Sequence, residues 1–234
     1  MNSQQITIKS ADSGNFSAYL ATPTTSKKAG LILIQEIFGI NATMRQLADS
    51  YAEAGYLTIV PDLFWRIEPN IELSDQNENH WQKAFELYNK FDENKGIEDL
   101  IATLNTLKQQ LENNTGKIAS VGYCLGGKLA YLMATRSQAD CNVSYYGVAI
   151  ENNLNESQNI KKPLLLHLAG NDEYVSSQAQ TQISSHLKNN PLITLHSYPN
   201  LSHGFARVGG TTYNPEAAEQ ANQRTQAFLQ KHLN

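Results

Sequence analysis

The sequence predicts an α/β protein in which helices cover both faces of a mostly parallel, eight-stranded sheet. Short apolar runs of strand character alternate with stretches of helical periodicity over nearly the whole chain. The chain has 234 residues, 41% of them hydrophobic, and no break in composition. We therefore expect residues 1–234 to form a single domain.

The eight predicted strands are residues 6–10, 16–22, 30–35, 57–60, 117–121, 142–146, 163–168 and 192–198. A turn cluster, residues 12–15, separates the first two and predicts a hairpin. After residue 30 the strands are separated by helices, which is typical of parallel pairing. Residues 152–155 are rich in asparagine and predict an irregular surface loop.

Helices are indicated by apolar residues at a spacing of three and four. The first helix has such a stripe and is followed by Gly55 as a C-terminal cap; the stripe is Met44, Leu47, Ala48 and Tyr51. The second has a longer stripe: Ile97, Leu100, Ile101, Leu104, Leu107 and Leu111. Asn214 and Pro215 begin the last helix as N-cap and first helical residue. Its predicted buried face includes Ala217, Ala221, Phe228 and Leu229.

Charge and composition exclude several functional classes. The formal net charge is −4, and the pairs Lys27, Lys28 and Lys161, Lys162 look like solvated loop positions, so we expect no nucleic-acid partner. No apolar run is long enough to span a membrane, and residues 1–5 begin no signal peptide. We expect a monomeric, cytoplasmic protein without a membrane partner. Two cysteines form no disulfide framework, and Cys141 is interpreted as a packing residue.

Residues 122–126, Gly-Tyr-Cys-Leu-Gly, have the form of a nucleophile elbow with cysteine in place of serine. An elbow is a sharp turn from a strand into a helix, and its flanking positions favour glycine. A predicted strand precedes this segment, and Leu129, Leu132 and Met133 follow it at helical spacing. A buried cysteine without such a context acts as a small hydrophobe. Here the context favours Cys124 as a nucleophile.

A cysteine nucleophile needs a histidine, and the histidine needs a carboxylate to orient it. Catalytic groups gather at the carboxyl ends of parallel strands. Asp172 follows one predicted strand and His203 follows the next, with Glu173 as the alternative acid. The chain order of nucleophile, acid and histidine is that of the α/β-hydrolases. The histidines show no metal-ligand spacing, so we expect no metal and no cofactor.

Five segments of the chain resemble the dienelactone hydrolase (carboxymethylenebutenolidase) family: residues 35–39, 61–63, 122–127, 145–147 and 203–207. The resemblance extends from the hairpin to the last helix. It implies an α/β-hydrolase fold and a triad of Cys124, His203 and Asp172. It also implies hydrolysis of a small carboxylic ester or enol-lactone through a thioester.

The resemblance assigns further roles around the triad. Backbone N–H groups of Ile37 and Leu125 would form the oxyanion hole. Glu36 would lie beside the thiol, control its protonation, and pair with Arg207 until a substrate carboxylate competes for that arginine. The substrate-binding residues implied are Arg207, Phe38, Trp81, Phe85 and Tyr146.

The chain departs from the family at two positions. Trp81 stands where members of aromatic-acid pathways carry an arginine that grips the substrate carboxylate, and Phe85 stands where they carry a tyrosine. Trp81, Ala84, Phe85 and Tyr88 also recur at helical spacing, which alternatively predicts a core stripe. Tryptophan supplies no positive charge. We therefore expect a less acidic, bulkier or more apolar substrate.

Two alternatives remain from the sequence. Glutamine amidotransferase-like and DJ-1-like proteins also have an elbow cysteine, but here Gly126, Gly127 and Lys128 follow it, and the candidate acid precedes the histidine. The second alternative is a non-enzymatic thiol sensor or ligand-binding protein on a hydrolase scaffold.

Overall fold

The computed structural model describes residues 2–24, 29–111 and 116–233, so Met1, Lys27 and Lys28 lie outside the described residues. The strands are β1 Asn2–Lys9, β2 Asn15–Thr22, β3 Ala29–Ile34, β4 Tyr56–Pro61, β5 Ile118–Tyr123, β6 Cys141–Tyr145, β7 Leu164–Ala169 and β8 Ile193–Tyr198. They form one sheet of order β1-β2-β4-β3-β5-β6-β7-β8. β2 pairs antiparallel with β1 and β4, and the other pairs are parallel. The predicted hairpin and mostly parallel sheet are confirmed.

The helices are α1 Ala42–Glu53, α2 Glu78–Lys90, α3 Glu93–Gln110, α4 Leu125–Arg136, α5 Ser177–Leu187 and α6 Pro215–Leu233. A 3₁₀ helix, Ile150–Asn159, occupies the region predicted as an irregular loop, so that prediction is wrong. This helix is kinked at Asn153. Local hydrogen bonds satisfy the backbone of this short helix. Only Ile150 is fully buried, so the sequence has no apolar stripe that would predict a helix here.

Helices cover both faces of the sheet. All six residues of β3 and all six of β5 are buried, as expected when a parallel sheet is covered on both sides. α3 and α4 pack against each other, while α1 packs on β2–β4 and α6 on β5–β7. Because β3 and β5–β8 run parallel, their carboxyl ends lie along the same side of the sheet. The site residues lie at that side.

The buried face of α6 is rotated slightly from the predicted one. Its buried residues are Ala218, Ala221, Thr225, Leu229 and Leu233, whereas Ala217 and Phe228 are partly buried. Thr225 lies inside because it bonds to two buried side chains. Its hydroxyl lies 3.0 Å from Nε2 of His167 and 2.7 Å from the hydroxyl of Tyr145. A polar anchor of this kind carries no hydrophobic signal.

His167 is buried inside the sheet and takes part in structure, as its place in a predicted strand suggests. Besides Thr225, it contacts the Tyr198 hydroxyl through Nδ1 at 2.9 Å. Burial lowers the pKa of His167 well below its usual range, so the ring is neutral. In the ranges that the structure describes, no helix is both long and apolar enough to cross a membrane.

Candidate active site

Cys124 lies in the turn between β5 and α4 with φ 56° and ψ −117°, a strained conformation for a residue with a side chain. Close backbone packing enforces this turn. A Cβ atom on Gly122 would lie 1.9 Å from the carbonyl oxygen of Gly126, and one on Gly126 would lie 2.4 Å from that of Ile34. Glycine is therefore required at both positions, and the turn has the geometry of a nucleophile elbow.

His203 and Asp172 form a buried pair next to the elbow. Nδ1 of His203 lies 2.9 Å and 3.1 Å from the two carboxylate oxygens of Asp172. The Asp172 carboxylate also accepts hydrogen bonds from the backbone N–H groups of Tyr174 and Val175. Glu173, the alternative acid, instead accepts a 3.3 Å bond from the backbone N–H of His203. The ring is thus oriented by Asp172.

The electrostatic environment favours a charged His203. Burial lowers its pKa, but the interactions with Cys124 and Asp172 outweigh burial and raise that pKa to about 10. Asp172 contacts Nδ1, so the buried Nε2 is the ring nitrogen that can interact with Cys124 and exchange a proton.

The backbone N–H groups of Leu125 and Ile37 are the candidates for the oxyanion hole predicted from the sequence. Leu125 is the first residue of α4, where an N–H has no acceptor within the helix. Ile37 follows β3 and lines the same cavity as Cys124. Among the described residues, none accepts a hydrogen bond from the backbone N–H of Ile37.

Glu36 and Arg207 form a buried, bidentate ion pair at the same edge. Nε and Nη2 of Arg207 donate to the Glu36 carboxylate at 2.6 Å and 3.0 Å. Nη1 donates to Asp75 at 3.0 Å. Burial disfavours the guanidinium, but the Glu36 carboxylate outweighs it and raises the pKa of Arg207. Asp75 was not predicted from the sequence, because it lies in a loop without a motif.

A cavity of about 220 Å³ lies above Cys124. Its lining comprises Ile37, Phe38, Trp81, Phe85, Tyr88, Cys124, Val148, Ala149, Glu151, Tyr174, His203 and Arg207. Aromatic rings form one wall. Trp81 stacks on Phe85 at 5.6 Å and on Tyr174 at 6.5 Å between ring centroids. The wall is apolar and partly exposed, since Phe85 is 38% exposed and Tyr174 44%.

The α2 residues at helical spacing mainly face this cavity. Only Ala84 of the predicted stripe is fully buried, while Trp81, Phe85 and Tyr88 line the cavity. The indole N–H of Trp81 donates to the backbone carbonyl of Asp75 at 2.9 Å. Trp81 therefore presents a ring, and no free donor, to the cavity.

Tyr146 lies behind the histidine and outside the described cavity lining. The centroid of its buried ring lies 4.9 Å from that of the His203 ring, and its backbone φ of 36° is strained. The position supports His203, whereas the sequence predicts substrate contact. Sequence reasoning also missed Tyr174, although it lies two residues after Asp172 at the carboxyl end of β7.

The described ranges hold no cluster of three or more histidine, cysteine, aspartate or glutamate side chains suited to a metal ion.

The elbow, acid and histidine at the ends of β5, β7 and β8 define an α/β-hydrolase. Residues 16–233 match the dienelactone hydrolase family. A candidate carboxymethylenebutenolidase of Azospirillum brasilense is 43% identical over 230 residues, covering 97% of this chain and 98% of that protein. Carboxymethylenebutenolidase 1 of Cupriavidus pinatubonensis is 37% identical over 229 residues, covering 98% and 97%. The chain belongs to the dienelactone hydrolase family, which confirms the resemblance and the prediction of a carboxylic ester hydrolase.

Comparison with solved structures supports the same fold. A crystal structure of a candidate dienelactone hydrolase of Klebsiella pneumoniae matches with a TM-score of 0.86 at 22% identity, covering 97% of each chain. The α/β-hydrolase fold predicted from the sequence is confirmed.

The pKa of His203 should depend on the charge of Cys124. In a Cys124→Ala protein the negative partner is lost, so the pKa of His203 should fall from about 10 toward the ordinary 6.5. NMR titration of the imidazole in both proteins, with a His203→Gln sample to assign the signal, measures this. Identical titrations would show that the thiol carries no charge beside the ring.

Proposed function

We propose that this protein hydrolyses a carboxylic ester or enol-lactone with Cys124 as the nucleophile. The observation that carries the proposal is the strained elbow, which holds Cys124 beside a histidine oriented by Asp172. The sulfur attacks the substrate carbonyl, and the oxyanion is stabilised by the N–H groups of Ile37 and Leu125. His203 transfers a proton to the departing oxygen, and a thioester remains on Cys124.

The thioester is then hydrolysed by water. Neutral His203 takes the proton of a water molecule that attacks the acyl carbonyl, while the same two N–H groups stabilise the second oxyanion. Asp172 keeps Nδ1 protonated through its 2.9 Å contact, so that Nε2 acts as the base. Collapse of this intermediate releases the acid and returns Cys124 to its starting state. Nε2 of His203 therefore donates a proton in the first step and accepts one in the second.

Glu36 controls the protonation of the thiol in this scheme. Its carboxylate is buried beside the site and its charge is held by Arg207. A carboxylate near the sulfur raises the energy of a sulfur anion and so opposes loss of the thiol proton. The bidentate pair supports this role, since Arg207 keeps the Glu36 carboxylate charged and fixed in position.

The substrate proposed is a small ester or lactone of low acidity. Two side chains that can carry positive charge, Arg207 and His203, are in the described cavity lining. The charge of Arg207 is compensated by Glu36 and Asp75, and His203 is paired with Asp172. Trp81 contributes an aromatic surface in place of a further cation. A substrate carboxylate therefore finds no uncompensated positive charge, whereas an apolar group finds the wall of Trp81, Phe85 and Tyr174. The cytoplasmic location and monomeric state remain predictions.

Replacement of Cys124 tests the proposed reaction. A Cys124→Ala protein should lose about a thousandfold or more in kcat/KM on aryl esters and lactones, because no nucleophile remains. Mass spectrometry of wild-type protein quenched during turnover should detect an acylated Cys124 peptide. Hydrolysis retained by the variant would refute cysteine catalysis, and iodoacetamide labelling of Cys124 without any turnover would favour a thiol sensor.

Replacement of Glu36 separates its proposed role from a structural one. Glu36→Gln keeps the shape but removes the charge beside the thiol, so both the thiol pKa and kcat should change. Iodoacetamide labelling rates across pH measure the thiol pKa, and thermal unfolding checks that Arg207 tolerates the change. Unchanged labelling and unchanged turnover in a folded variant would contradict the proposal.

The wall at Trp81 should determine the response to substrate charge. A carboxylated dienelactone and its methyl ester form a matched pair, and wild type should not favour the acid. Trp81→Arg should raise the ratio of kcat/KM for acid over ester by about tenfold, the effect of one charge-assisted hydrogen bond. Trp81→Phe, which keeps a ring without charge, should leave the ratio unchanged. A wild-type preference for the acid would disprove the assignment.

A further inference from the structure

Glu151 is an acidic side chain in the cavity that the proposed reaction does not use. It lines the cavity together with Cys124, Val148 and Ala149. Its Oε2 atom is buried and has no hydrogen-bond partner among the described residues. A buried carboxylate oxygen without a donor is unfavourable by an amount comparable to a lost hydrogen bond. Such an atom in a ligand cavity is suited to a donor supplied by the ligand.

The fold does not need this carboxylate. Glu156, in the same 3₁₀ helix, joins that helix to α4 by a 2.6 Å ion pair with Arg136. The Tyr131 hydroxyl donates to the carbonyl of Asn153 and adds a second connection to α4. Within the described part of the chain, Glu151 forms neither an ion pair nor a hydrogen bond with α4. Its position is nevertheless fixed, because Ile150 beside it is fully buried.

The charges around the cavity leave Glu151 uncompensated. Arg207 also lines the cavity, and its three described donor contacts go to Glu36 and Asp75. The charge of Glu151 still acts inside the cavity: after burial, the charges of Cys124, Glu93 and Glu151 help to raise the pKa of Tyr88, another lining residue. A ligand entering beside Cys124 therefore meets an unpaired negative charge.

We infer that Glu151 determines substrate specificity: it accepts a hydrogen bond from an O–H or N–H group of the ester or lactone and disfavours substrates that carry a carboxylate. This inference rests on the proposed hydrolysis at Cys124. Glu151 adds a polar contact to the aromatic wall. The preferred substrate is therefore a neutral or cationic ester that carries a hydrogen-bond donor, and not simply an apolar ester.

Four aryl acetates that differ only at the para position test the inference. They are phenyl acetate, 4-(hydroxymethyl)phenyl acetate, 4-(aminomethyl)phenyl acetate and 4-acetoxybenzoate. The protein is compared with Glu151→Gln, which removes the charge but keeps an acceptor, and Glu151→Leu, which removes both. For each substrate, the ratio of kcat/KM between variant and wild type cancels differences in intrinsic reactivity. Phenyl acetate reports whether hydrolysis and folding are intact.

Both variants should raise kcat/KM on 4-acetoxybenzoate by about tenfold, because the repelling charge is gone. Glu151→Leu should lower it on the hydroxymethyl substrate by a similar factor, and Glu151→Gln should lower it less. A loss in Glu151→Gln confined to the aminomethyl substrate would identify an ammonium group as the preferred donor. Phenyl acetate, which carries neither a donor nor a carboxylate, should change less than the three substituted esters. All four substrates should change by no more than about twofold in the exposed control Glu53→Gln.

Equal changes on all four substrates, or no change on any, would overturn the role of Glu151 while leaving the hydrolase assignment intact. Absence of Cys124-dependent turnover of phenyl acetate in the wild type would instead refute the proposed function itself. The two failures are therefore distinguishable in one set of measurements.

Discussion

The turn from β5 into α4 is the constraint on which the site depends. The elbow needs a strained backbone at Cys124, and that strain persists only because neighbouring backbone closes around it. The carbonyl of Gly126 fills the space beside Gly122, and the end of β3 lies against Gly126. The same contact brings β3, and hence Ile37, to the nucleophile. One tight approach therefore fixes the turn at Cys124 relative to the end of β3.

The second organising feature is the charge of Arg207. A buried guanidinium paired with a single carboxylate would be neutral, but here Asp75 adds a second one. Desolvation of three charges is unfavourable unless each is well paired, and the bidentate contact with Glu36 provides that pairing. The resulting group carries net negative charge at the same side of the sheet as Cys124, the proposed nucleophile. That arrangement suits a protein in which the thiol is controlled and anionic substrates are not attracted.

Local signals explain why much of this could be predicted. The strands are short apolar runs, and the elbow is contiguous in sequence, so the sheet and Cys124 follow from nearest neighbours. Asp172 and His203 were found because parallel strands bring their ends together. Asp75 and Glu151 have no such signal, because one lies in a long connection and the other in a 3₁₀ helix. Only tertiary packing brings Asp75 to Arg207 and Glu151 to the cavity. Tyr146 has a motif match that predicts a place near the site, but a motif does not tell which way its ring points; the ring packs against His203.

Asp75 links the change at position 81 to the rest of the site. Its backbone carbonyl accepts the indole N–H of Trp81, while its carboxylate holds Arg207. Trp81 therefore helps to fix the residue whose carboxylate adds a second negative charge beside Arg207. Asp75 consequently connects the aromatic wall to the compensated Arg207, and the proposed selectivity against anionic substrates rests on both together.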